Sequence, residues 1–120
     1  MNLSNQSLLR DKAFIGGEWV ASGNANTFPV TNPFDGEKIV DVADLGEAEA
    51  IRAVEAAHKA LPAWRSITAK ERSELLRKWF DLMMANQEDL AHLMTLEQGK
   101  PLGESRGEIA YGGNYINWFA

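Results

Sequence analysis

Thr95-Leu-Glu-Gln-Gly-Lys-Pro-Leu102 decides how the second half of this chain folds. Gly99 follows a run of helix-favouring residues, and a glycine there ends a helix by taking the left-handed conformation. Lys100 sets a cation beside the negative end of that helix. Pro101 suits the first turn of a new helix, where its missing N–H costs nothing. The segment therefore predicts a helix ending at Gln98, a tight left-handed turn, and a further helix restarting at Pro101.

Working back from that turn, Gln87 to Gln98 carries Leu90, Leu93, Met94 and Glu97 at helical spacing, and Asn86 permits a break before it. Thr68 and Glu71 have capping-box spacing, so each side chain can satisfy a backbone N–H of the other. The helix they start places Leu75, Leu76, Trp79, Phe80, Leu82 and Met83 on one broad face. An alanine-rich helix precedes it from Glu47 to Ala60, with Ala50, Ile51, Val54 and Ala57 in a stripe of small residues suited to close approach. Pro62 is expected to end it. Beyond Pro101, Gly103, Gly107, Gly112 and Gly113 each weaken the last helix by about 1 kcal/mol relative to alanine. That helix needs tertiary contact, through close approach of another backbone or along a ligand channel.

The first 46 residues read differently. Phe14-Ile15 and Trp19-Val20 flank Gly16-Gly17-Glu18, and adjacent glycines tolerate the positive φ of a tight hairpin. Phe28 to Thr31 is a short extended piece that Pro29 confines to a sheet edge. Asn32-Pro-Phe-Asp-Gly36 is a turn by residue type, and Lys38 to Val42 is its partner strand. The fold class is α/β: a turn-rich β region over 1–46, then about four helices over 47–120.

Composition removes several function classes. The net charge of −5 disfavours a nucleic-acid partner, which requires a basic face. No apolar run approaches the roughly 20 residues of a membrane span, and the polar stretch Met1–Arg10 does not read as a secretory signal. With no cysteine, there is neither a disulfide nor a thiolate metal site, which fits a cytoplasmic protein. His58 and His92 lack metal-ligand spacing and read as surface or helix-end residues. No dinucleotide fingerprint, phosphate loop or nucleophile elbow occurs. Gly103-x-x-x-Gly107 opens a polar helix and is no phosphate cradle.

Six ordered segments nonetheless resemble the NAD(P)-dependent aldehyde dehydrogenases. They are Phe14-Ile-Gly-Gly-Glu-Trp-Val20, Val30-Thr-Asn-Pro-Phe-Asp-Gly-Glu-Lys-Ile39, Ala50-Ile-Arg-Ala-Val-Glu-Ala-Ala57, Arg72-Ser-Glu-Leu-Leu76, Leu93 to Leu102, and Gly107-Glu-Ile with Tyr115 to Ala120. Within that family, Leu61-Pro-Ala-Trp64, Thr68-Ala-Lys-Glu-Arg72 and Met94 to Pro101 are most similar to bacterial succinate-semialdehyde dehydrogenases; other semialdehyde and betaine-aldehyde enzymes share much of this wording.

The resemblance implies the N-terminal part of the cofactor-binding domain of an enzyme that oxidises succinate semialdehyde to succinate with NADP or NAD. The family's catalytic cysteine, oxyanion asparagine, water-activating glutamate and cofactor loops would lie beyond Ala120. Neither Asn32 nor Asn114 takes such a role. This chain alone is expected to be inactive and to bind no cofactor; its partner is the remainder of the polypeptide, in a homo-oligomer. Two features carry over. The carbonyl of Thr31 and the carboxylate of Glu97 correspond to ligands of a structural cation, for which oxygen donors suit Na+. Tyr111, with Tyr115 one turn on, falls where the family's glycine-rich helix lines the substrate tunnel, although core packing competes for Tyr115. The alternative function is a free-standing helical interaction module without catalysis.

Overall fold

A computed structural model describes residues 3–120; Met1 and Asn2, which open the polar stretch Met1–Arg10, lie outside the described residues. The chain runs through a single 3-10 turn at Gln6–Leu8, strands β1 (Ala13–Ile15), β2 (Glu18–Val20), β3 (Thr27–Thr31) and β4 (Lys38–Ala43), then helices α1 (Glu47–Ser66), α2 (Ala69–Ala85), α3 (Gln87–Gln98) and α4 (Leu102–Phe119). The strands form two separate antiparallel pairs, β1 with β2 and β3 with β4.

The β1–β2 hairpin turns on Gly16 and Gly17, at φ 63° and 93°, the two positive values that a twist-matched two-residue turn demands. It sets Phe14 opposite Trp19, with ring centroids 5.2 Å apart. The Arg10 guanidinium lies 4.5 Å from the centre of the indole. In the second pair, the Asn32 side chain accepts the Phe34 N–H at 3.0 Å, and Gly36 closes the corner at φ 76°. Both members of a two-stranded sheet are edges, so Pro29 fits within β3 as its sequence requires.

α1 departs from expectation. Pro62 lies inside it, and the helix continues to Ser66. A proline one turn from a helix end removes a single hydrogen bond, leaving the carbonyl of His58 without its intrahelical donor. His58 is exposed, so water can satisfy that carbonyl, and the break signal loses its force. The N-terminus of α2 matches its sequence: Glu71 N–H donates to Thr68 Oγ1 at 3.2 Å, and Thr68 N–H donates to Glu71 Oε2 at 2.7 Å. Those Thr68 donors hold the Glu71 carboxyl below its ordinary pKa. α3 ends at Gln98, with Gly99 left-handed at φ 77°. Pro101 is the residue before α4 instead of its first.

The core is small and sits where α2, α3 and α4 meet. Ala91, Leu93 and Ile109 are buried there with Leu3. The weak helix α4 is held by this packing: a Cβ on Gly113 would meet Met84 Sδ at 3.3 Å and Phe80 Cδ2 at 3.4 Å. Across the α3–α4 contact, Thr95 Oγ1 and fully buried Ser105 Oγ share a hydrogen bond of 2.8 Å. Gly103 and Gly107 face open space, so close packing explains only part of the glycine pattern. The broad face of α2 is half covered; Leu75, Trp79 and Leu82 are 49, 56 and 64% exposed. The α1 stripe is also open at Ile51 and Val54.

A second tie joins the N-terminal arm to the start of α3. The carboxylate of buried Asp89 accepts the backbone N–H groups of Ser4 at 3.0 Å and Asn5 at 2.8 Å. Asn5 Nδ2 also donates to Asn86 Oδ1 at 3.2 Å. The first described residues are thereby clasped onto the start of α3.

Candidate functional site

Helical periodicity gathers one face of α4 into a continuous strip. Glu104, Glu108 and Tyr111, four and three residues apart, line an open groove of about 400 Å³ together with Gly107. Tyr111 also borders an adjoining groove of about 390 Å³, whose other walls are Asn114, Tyr115, Trp118 and Phe119. The strip is acidic towards the start of α4 and aromatic towards its end.

The two tyrosines expected at a tunnel wall are brought together at the junction. Their rings meet edge to face, with centroids 5.1 Å apart, and their hydroxyls lie 3.2 Å apart. The hydrogen bond with Tyr115 favours the neutral phenol of Tyr111 and raises its pKa above the ordinary value, with burial and the Glu108 charge acting in the same direction. Because one hydroxyl of the pair donates to the other, a single O–H remains free to donate to a ligand. Tyr111 is 63% exposed and Tyr115 53%, so neither is packed in the core formed by the described residues.

Thr31 and Glu97 stand on neighbouring elements. The turn after β3 sits on the end of α3, where a Cβ on Gly99 would come within 2.9 Å of Pro33 Cγ. Both Thr31 and Glu97 are exposed. Among the described residues no group of three His, Cys, Asp or Glu side chains is placed to hold a metal; a cation here would need carbonyl oxygens in addition.

Sequence reasoning missed one feature of the strip. Lys100, read above only as a cation at a helix end, reaches across the turn to Glu108, with Nζ 2.6 Å from Oε1. The left-handed Gly99 and the restart of α4 bring together residues eight apart, a spacing for which no helical rule accounts because the two are not on one helix. At the start of α3, Glu88 and Arg106 form a two-point ion pair at 2.7 and 2.9 Å. The guanidinium holds the Glu88 carboxyl below its ordinary pKa, and the pair pins α3 to α4 outside the groove.

The profile described as "Aldehyde dehydrogenase family" matches residues 19–120. The whole chain is 58% identical to a glutarate-semialdehyde dehydrogenase of Pseudomonas putida and 52% identical to an NADP(+) succinate-semialdehyde dehydrogenase of Escherichia coli. It spans 25% of the length of each. A crystal structure of succinate-semialdehyde dehydrogenase from Burkholderia pseudomallei superposes on 98% of the chain with a TM-score of 0.95 at 51% identity, the match covering 24% of that protein. No helix among the described residues is long and apolar enough to cross a membrane.

Proposed function

The chain belongs to the aldehyde dehydrogenase family, and on that premise we propose that it is the N-terminal section of an NAD(P)+-dependent enzyme oxidising succinate semialdehyde to succinate. Glutarate semialdehyde, one carbon longer, is the second substrate to test, because a relative named for it aligns with the whole chain. The observation carrying the reading is the paired hydroxyls of Tyr111 and Tyr115 at the junction of the two α4 grooves. The one O–H left free by the pair, held beside an aromatic wall, can orient a short polar aldehyde.

In this reading residues 1–46 and 47–120 are the β and helical parts of one section of a cofactor domain. Gly103 and Gly107 face open space, and they are not proposed to cradle the cofactor's phosphates. No residue here is assigned to NADP or NAD, nor to thiol or water activation. The open faces at Ile51, Val54, Leu75, Trp79 and Leu82 are the surfaces on which the rest of the polypeptide, and its homo-oligomer, would pack. The cytoplasm is the compartment proposed. The Thr31 carbonyl and Glu97 carboxylate are proposed as two oxygen ligands of a hard cation such as Na+. A crystal grown in a sodium salt should show an ion between them, and none there would remove the site.

The first test is the intact mass of the product in its source cells, followed by reduction of NADP+ or NAD+ with succinate semialdehyde. A mass well above 13.3 kDa with turnover supports the reading. A 13.3 kDa product without turnover favours an interaction module, for which the same exposed apolar faces would be docking surfaces. In the complete enzyme, Tyr111→Ala should raise the semialdehyde KM about tenfold, as expected when an orienting hydrogen bond is lost. Unchanged KM and kcat would remove Tyr111 from the site.

A further inference from the structure

We infer that Lys100 is a positioning residue for charge selection: by neutralising Glu108 it allows the α4 groove to admit an aldehyde that carries a carboxylate at its far end. The inference rests on the reading of that groove as the substrate's path and deepens it.

Three observations converge. Glu108 is part of the groove wall beside Tyr111, and its side chain is 53% exposed, so its charge acts on whatever enters. Glu104 lines the same groove, and two uncompensated carboxylates would oppose an anionic substrate through like-charge repulsion. Lys100 meets Glu108 at 2.6 Å with its own side chain only 23% exposed. Among the described ion pairs the other cations are far more open: Lys38 at 57%, Lys70 at 85% and Arg106 at 44%. A covered cation is screened less by salt than an open one and holds its partner's charge more effectively.

The position of Lys100 is fixed by backbone as well as charge. It stands between left-handed Gly99 and Pro101, whose ring restricts the lysine to extended conformations. The ammonium is thus carried over the second turn of α4. With Lys100 in place, the Glu104–Glu108 pair bears one net negative charge; without it, two. The compensation lies next to Tyr111, the residue proposed to orient the aldehyde, so a change in it acts on binding more than on chemistry.

The test compares two aldehydes of equal chain length, glutarate semialdehyde and pentanal, in the complete polypeptide that carries this chain. Lys100→Met should raise the KM ratio of the anionic to the neutral aldehyde about tenfold, with the ratio of kcat values changing less than twofold. Lys100→Arg should hold the ratio near wild type. Adding Glu108→Gln to Lys100→Met should bring it back, because the charge that needed compensation is gone. Equal rises for both aldehydes would reduce Lys100 to a structural residue and overturn the inference, as would a double variant without recovery. If the wild type oxidises pentanal but no semialdehyde, the proposed function fails by itself. The inference is then read from inhibition of pentanal oxidation by glutarate: weaker inhibition in Lys100→Met upholds it, and unchanged inhibition overturns it.

Discussion

Asp89→Ala should destabilise the chain by about 2–4 kcal/mol, the range expected when a charged acceptor is removed and two partly buried backbone donors lose their partner. The carboxylate accepts Ser4 N–H and Asn5 N–H together, and the alanine leaves both donors without a protein partner, with water able to reach exposed Ser4 more readily than half-buried Asn5. Leu3, 5% exposed, is seated by the same clasp and should come free with it. Urea denaturation will measure the loss, and amide hydrogen exchange at Ser4 and Asn5 will localise it. Asp89→Asn separates charge from shape, since its amide can still accept one of the two bonds through its oxygen; it should fall between wild type and alanine. A midpoint unmoved by Asp89→Ala would mean that the arm contributes nothing to the folded state.

Gly113 should respond to size in two opposite ways. Gly113→Ala adds a Cβ at 3.3 Å from Met84 Sδ and 3.4 Å from Phe80 Cδ2, contacts that flexible methionine can yield by a small shift. Replacing a mid-helix glycine also gains about 0.5–1 kcal/mol in backbone entropy, so the net change should lie within about 1 kcal/mol of zero. Gly113→Leu has no such escape. Its branched end must enter the α2–α4 contact, and overpacking there should cost about 2–3 kcal/mol. Thermal unfolding of both variants tests the contrast. A leucine variant as stable as the alanine variant would show that α2 and α4 can separate without loss, and that Gly113 is not what lets them approach.

Legibility in the sequence followed the range of each interaction. Gly16-Gly17, Thr68 with Glu71, and Gly99 each act within a few residues, and each was readable because turn and cap chemistry is carried by the residues themselves. Pro62 misled for a related reason: the local rule is sound for a helix interior, but its cost falls when the freed carbonyl faces water. The face of α2 was identified by periodicity, yet periodicity does not tell which part of an apolar stripe is covered. Leu76, Phe80 and Met83 lie towards the packed side, while Leu75, Trp79 and Leu82 stand open.

The candidate site divided in the same way. The resemblance led to Tyr111 and Tyr115, four residues apart, and one helical turn brings their hydroxyls together. The Lys100–Glu108 pair and the Asp89 clasp depend on how separate elements meet. The second joins residues 85 apart in one bond and 84 in the other, a separation that leaves no local trace.

That separation has a consequence in time. A chain growing at about 5–20 residues per second takes on the order of 4–17 s to add the residues between Ser4 and Asp89, whereas a hairpin such as β1–β2 closes in about 1–10 μs once its strands exist. During synthesis the hairpins can therefore form while the N-terminal arm is still waiting for its acceptor. Ser4 and Asn5 thus find their place well after the hairpins that follow them in sequence.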